Sequence, residues 1–78
     1  PQIKEPEIVL RQIILKNNVF IGKSIRQSQL REKTNGLVVG IERKGIRTLN
    51  PDSNLILNDE DVLWIVGDRK KLEDLTHD

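Results

Sequence analysis

The chain has 78 residues, with 13 Lys/Arg, 12 Asp/Glu, one His and no Cys. That length allows one domain whose core alone supplies little stability, so pairing with another chain is expected. Lack of cysteine excludes a disulfide framework and a thiolate metal site, and no apolar run approaches the ~20 residues that cross a bilayer. The sequence starts at Pro1 without a Met, as a piece of a longer protein would. Charge is uneven: residues 1–47 hold ten Lys/Arg against four Asp/Glu, and residues 48–78 hold three against eight. A basic half of this kind provides an anion site, guides a partner, or simply coats a small surface.

Residues 1–7 read as a polar lead and 8–78 as the domain. Glu7 to Leu15 forms a strand with Ile8, Leu10 and Ile14 on one face and Val9, Ile13 and Leu15 on the other; both faces are expected to be covered. Gly22 to Arg31 reads as a short helix anchored by Ile25 and Leu30, with Phe20 and Ile21 packing at its start. Lys33 to Gly36 then makes a turn, since Asn and Gly tolerate positive φ.

Leu37 to Arg43 and Ile46 to Asn50 are two β-rich runs separated by Lys44 and Gly45, a two-residue hairpin connection. The implied register pairs Arg43 with Ile46, Glu42 with Arg47, Ile41 with Thr48, Gly40 with Leu49 and Val39 with Asn50. Strict alternation places Leu37, Val39, Ile41 and Ile46 on one face and Val38, Gly40, Leu49 and the Glu42/Arg47 pair on the other. A surplus apolar face on so small a domain suggests a second subunit, with Val38, Val39, Ile41 and Leu49 as candidate interface residues.

Asn50 to Asn54 is a turn fixed by Pro51. Leu55 to Leu57 touches down briefly. Asp61 to Gly67 holds five consecutive apolar residues and reads as a central strand buried on both sides. Asp68 caps a short final helix that Leu72 and Leu75 seal onto the sheet. The order strand, helix, hairpin, strand, helix defines an α+β two-layer domain with a mainly antiparallel sheet, a β-hairpin and two short helices.

Catalytic signals are lacking. Gly22-Lys23-Ser24 resembles the end of a P-loop, but the pattern's first glycine falls on Asn17. Asp59, Glu60 and Asp61 are adjacent carboxylates that cannot all face one ion, so no metal site is expected. His77 stands alone, and Ser24, Ser28 and Ser53 have no histidine partner for acyl transfer. One Phe and one Trp provide no stacking platform, so no nucleic-acid partner is expected. What remains is the basic hairpin: Arg43, Lys44 and Arg47, with Asn50 and Asn35 near its other end, suited to a phosphate or carboxylate.

The ordered set of segments from Phe20 to Leu75 closely resembles the TrkA-C (RCK-C) domain family: the IGKSI helix start, the LREKTNGLVVGIER passage, the hairpin leading to NP, and the DVLWIVG strand before a charged helix. Asn58 to Asp61 departs from the family's usual Pro-Gly-Asp or Ala-Gly-Asp turn, retaining only Asp61. The resemblance implies a homodimerising regulatory domain on the cytoplasmic face of the bacterial inner membrane, attached to a membrane transport domain. The LREKTNGLVVGIER version is most similar to copies on KefB-type monovalent cation:proton antiporters; gating of a Trk or Ktr potassium-uptake system and passive assembly are the alternatives. Some family members bind cyclic di-AMP between two copies. By position, Ile41, Arg43, Asn50 and Pro51 become candidate ligand contacts alongside Lys44 and Arg47. No other cofactor is implied.

Overall fold

A computed structural model describes residues 5–76; residues 1–4 of the lead, and His77, lie outside the described residues. The elements in chain order are β1 (Ile8–Ile14), α1 (Ile25–Ser28), α2 (Leu30–Thr34), β2 (Leu37–Arg43), β3 (Ile46–Leu49), β4 (Val62–Asp68) and α3 (Arg69–Thr76). The four strands form one antiparallel sheet in the order β1-β4-β2-β3. This is the expected α+β two-layer architecture: the three helices lie on one face, and the core between the layers holds Phe20, Leu30, Leu57, Leu63, Ile65 and Leu72, each at most 6% exposed.

Two boundaries differ from the sequence reading, for local reasons. The expected single helix begins at Ile25, where Ser24 Oγ accepts from Gln27 N and Gln27 Oε1 accepts from Ser24 N, both at 3.0 Å, a reciprocal capping box. It then breaks. Ser28 Oγ donates back to Ile25 O at 2.5 Å and accepts from Leu30 N at 3.2 Å, competing with the backbone ladder, as a mid-helix serine can. Gln29 turns left-handed at φ 58°, and a second helix carries the chain through Lys33 and Thr34 to Asn35, itself at φ 52°.

The hairpin register is as expected for Gly40↔Leu49, Ile41↔Thr48, Glu42↔Arg47 and Arg43↔Ile46. Lys44 (φ 51°) and Gly45 (φ 78°) are both left-handed, the turn whose twist matches that of its strands. The expected face assignment fails at one point. Against β4, β2 shifts register between Val38 and Gly40, so Val38 pairs with Ile65 and Ile41 with Leu63, with Val39 as the extra residue. A bulge inserts one residue and inverts the alternation beyond it. Val38 and Ile41 therefore both enter the core, 7% and 3% exposed, and cannot offer their side chains to a partner.

The expectation that both faces of β1 and β4 are covered is likewise corrected for the single chain. In β4 burial alternates, with Leu63 and Ile65 buried and Val62, Trp64 and Val66 half-buried. Ile8, Leu10 and Ile14 of β1 pair with Asp68, Val66 and Val62, share that second face, and are more than half exposed. Helices from so short a chain suffice for one layer only. Leu37 and Leu49 extend the same open apolar face across the hairpin.

Candidate ligand site

The expected site residues fall in three places. Ile41, Arg43 and Lys44 border a depression of ≈ 270 Å³ beneath the hairpin, with Ile46, Thr48 and Leu55. Asn50 and Pro51 border a groove of ≈ 550 Å³ with Ile25, Arg31, Val38 and Ser53. Arg47 is on the open face, where its guanidinium carbon stands 4.9 Å from the Trp64 ring centroid and its Nη2 donates to Glu42 Oε1 at 3.1 Å. A cation over an aromatic face, paired with a carboxylate, belongs to that face and not to the groove.

Backbone geometry builds the groove. Asn50 N donates to Val39 O at 2.8 Å, one step past the end of β3, and Asn50 turns left-handed at φ 50° just before Pro51. Asp52 Oδ1 accepts from Asn54 N at 2.7 Å, closing the following bend. Arg26 N donates to Ser53 O and Ile25 N to Leu55 O, which clamps this loop to the start of α1. The result is a groove bordered by the apolar residues Ile25, Leu37, Val38 and Pro51 and by the polar residues Arg31, Asn50, Asp52 and Ser53. An apolar surface with a few placed polar groups suits a flat ring carrying an anion. Arg31 was not singled out from the sequence, because only the break at Gln29 brings the second helix to this rim.

Arg43 is already occupied. Its Nε donates to Asp61 Oδ1 at 2.8 Å and its Nη2 to Asp61 Oδ2 at 2.7 Å and to Ile56 O at 2.8 Å. Asp61 is 1% exposed and also accepts from Asn58 N at 2.7 Å. Burial pushes the Asp61 pKa up, but the bonds from Arg43 and Asn58 and the Arg43 charge outweigh it and hold the carboxyl below its ordinary value. The bond from Asp61 in turn raises the Arg43 pKa. The acidic turn is thus no three-carboxylate cation site: Asp61 faces inward to Arg43, and among the described residues no group of three His, Asp or Glu side chains is placed to hold a metal ion.

A four-stranded antiparallel sheet with helices on one side and a hairpin standing over a depression define a small two-layer α+β domain. The chain belongs to the TrkA-C domain family, whose model matches residues 10–77. It is 29% identical over 72 residues to Potassium channel protein 1 of Methanocaldococcus jannaschii, an alignment covering 91% of this chain and 21% of that protein. The chain thus spans about a fifth of that curated relative. Among solved structures, the RCK_C domain dimer of S. agalactiae BusR in complex with c-di-AMP matches with a TM-score of 0.73 at 25% identity, over 82% of this chain and 86% of that one. The RCK C domain of the potassium transport protein KtrA, in complex with cyclic diadenosine monophosphate, matches at TM-score 0.77, 20% identity, 87% of this chain and 79% of that one. The GsuK RCK domain matches at TM-score 0.78, 23% identity, 91% of this chain and 16% of that one.

Proposed function

We propose that the chain is a regulatory domain of a monovalent-cation transport protein, held at the cytoplasmic face of the membrane, that pairs with a second copy and binds an anionic nucleotide, cyclic di-AMP first. The observation that carries this reading is the groove, in which Ile25, Val38 and Pro51 stand beside Asn50 and Arg31, with Asp52 and Ser53 completing the border. A purine ring lies against such apolar residues, an amide reads its edge, and a guanidinium takes a phosphate in fork geometry. Lys44 adds a second cation at the hairpin tip, next to the apolar depression. The likeness to a BusR dimer holding c-di-AMP supports the ligand and the pairing together. Among the earlier candidates, Asn50 and Pro51 remain the ligand residues this reading relies on, with Lys44. Arg47 faces the other way.

Two parents fit. Similarity of the LREKTNGLVVGIER passage to KefB-type copies favours a cation:proton antiporter, whereas the match to a potassium channel protein favours the channel and uptake systems. In either case, bound ligand favours one relative arrangement of the two copies and the transport path follows by population shift. No catalytic role belongs to this reading. A nucleic-acid role is left out as well, although BusR is also known in complex with promoter DNA: Trp64 sits under Arg47 in the sheet face and offers no stacking platform. Calorimetric titration tests the ligand. Saturable binding of one cyclic di-AMP per two chains is expected; heats no larger than those of adenosine monophosphate would refute it.

A further inference from the structure

We infer that Arg43 is a positioning residue for the ligand site proposed above, not a ligand contact: it locks the hairpin to the loop 56–61, and the anion falls to its neighbour Lys44. The inference rests on that proposal for its effect on binding, though the lock itself does not.

Three of the five guanidinium N–H groups of Arg43 are used, two on the Asp61 carboxylate and one on Ile56 O. Asp61 has its own anchor in the Asn58 N–H, and Leu15 N donates to Asp61 O at 2.9 Å, tying the same residue to the end of β1. Beside Ile56, Leu57 N donates to Lys23 O and Leu57 O accepts from Gly22 N, both at 2.8 Å, while Ile56 itself bridges to Ser24. One guanidinium therefore joins the hairpin to the segment that fixes the start of the helical layer, and Ile25 of that layer is a wall of the groove. The depression under the hairpin and the groove beyond the loop hold their spacing through this contact. A lysine at 43 would keep the charge and lose the fork, because an ammonium is a single point donor with no planar geometry. Lys44 is exposed, is held at φ 51°, and makes no ion pair among the described residues.

The test is amide hydrogen exchange on the whole chain, read residue by residue by NMR for the parent, R43K, D61N, R43K/D61N and K44A. Each single change at 43 or 61 is expected to speed exchange about tenfold both at the hairpin amides 43–47 and at the loop amides 57–61, a local opening that spares Leu63 and Ile65. The double variant should be no faster than either single one, and K44A should match the parent throughout. A variant that merely lowered global stability would speed Leu63 and Ile65 too. If R43K speeds the hairpin alone, or D61N leaves the hairpin at the parent rate, the lock is refuted; should D61N not fold, R43K and R43Q decide. Titration with cyclic di-AMP provides the second arm. K44A should weaken binding and flatten its salt dependence, while R43Q, which removes the charge at 43, weakens binding with the salt dependence unchanged. A flattened dependence in R43Q would return Arg43 to the ligand and overturn the inference. A parent that binds no dinucleotide sinks the proposed function, and the exchange pattern still decides the lock.

Discussion

Replacing Leu10 by Arg isolates the pairing surface from the fold. Leu10 is 55% exposed on the open sheet face, on the edge strand β1 beside Val66 of β4, so the single chain loses little by the change. Ile8, Ile14, Leu37 and Leu49 leave comparable fractions of their side chains uncovered. At roughly 100 Å² each, these five make a patch near the upper limit of what a lone soluble domain shows. With its rim, such a patch approaches the ~800 Å² per partner of a stable interface. Covering Leu10 stabilises the pair by about 2 kcal/mol per copy, at ~25 cal/mol per Å². Both copies carry the change, so L10R should cost about 4 kcal/mol, raising the dissociation constant about a thousandfold. Sedimentation equilibrium over a micromolar concentration series should report monomer for L10R where the parent reports dimer, with circular dichroism and melting temperature of the monomer unaltered. Ile41→Glu makes the contrast, because that side chain is 3% exposed in the subunit core and its replacement should unfold the chain before separating any pair. If L10R keeps the parent's mass while folded, the open face is not where two copies meet.

Two further outcomes follow from the packing and the ion pair. A Cβ on Gly36 would overlap Val66 O of the neighbouring strand, and one on Gly67 would come within 2.6 Å of Thr34 O; G36A has no flexible side chain to displace and should cost about 3 kcal/mol, a fall of roughly 12–24 °C in melting temperature for a domain this size. The Asp61 carboxyl titrates lower folded than unfolded, so its stabilisation is complete above the unfolded value of ~3.9 and disappears as pH falls through the folded one. Urea midpoints should therefore hold level from pH 7 to 5 and drop below about 4, with a smaller drop in D61N; an equal drop in D61N would remove Asp61 as the cause.

The elements carried by strong periodicity were legible in the sequence. The Lys44-Gly45 turn and the β2–β3 register followed from turn chemistry and alternation, Asp68 does cap α3 through Lys71 N, and Val62 to Val66 is the core of an inner strand. What escaped depends on contacts between segments far apart in the chain. No local signal marks the bulge at Val39, because it exists only against β4, and it brings Val38 and Ile41, expected on opposite faces, together into the core. Arg43 read as a free cation because its partner lies 18 residues away in a turn that looked like solvated acid. Arg31 joined Asn50 and Pro51 only because Gln29 takes a left-handed conformation that propensity alone would not assign to glutamine.

Regulation requires that ligand and partner sense a common element, since coupling arises only where two sites bias the same structural change. The hairpin meets that requirement by its alternation. On β3, Ile46 and Thr48 face the depression beneath the hairpin, while Arg47 and Leu49 face the open side with Trp64 and Gly40. This strand is held by β2 alone, is only four residues long, and is exposed at every position. A rigid, doubly paired strand would separate the two faces. A short edge strand pinned at its tip by Arg43 and at its far end by the Asn50–Val39 bond instead responds as a unit to a load on either side. In the proposed function, the same two pins therefore set how firmly ligand occupancy is transmitted to a partner on the open face.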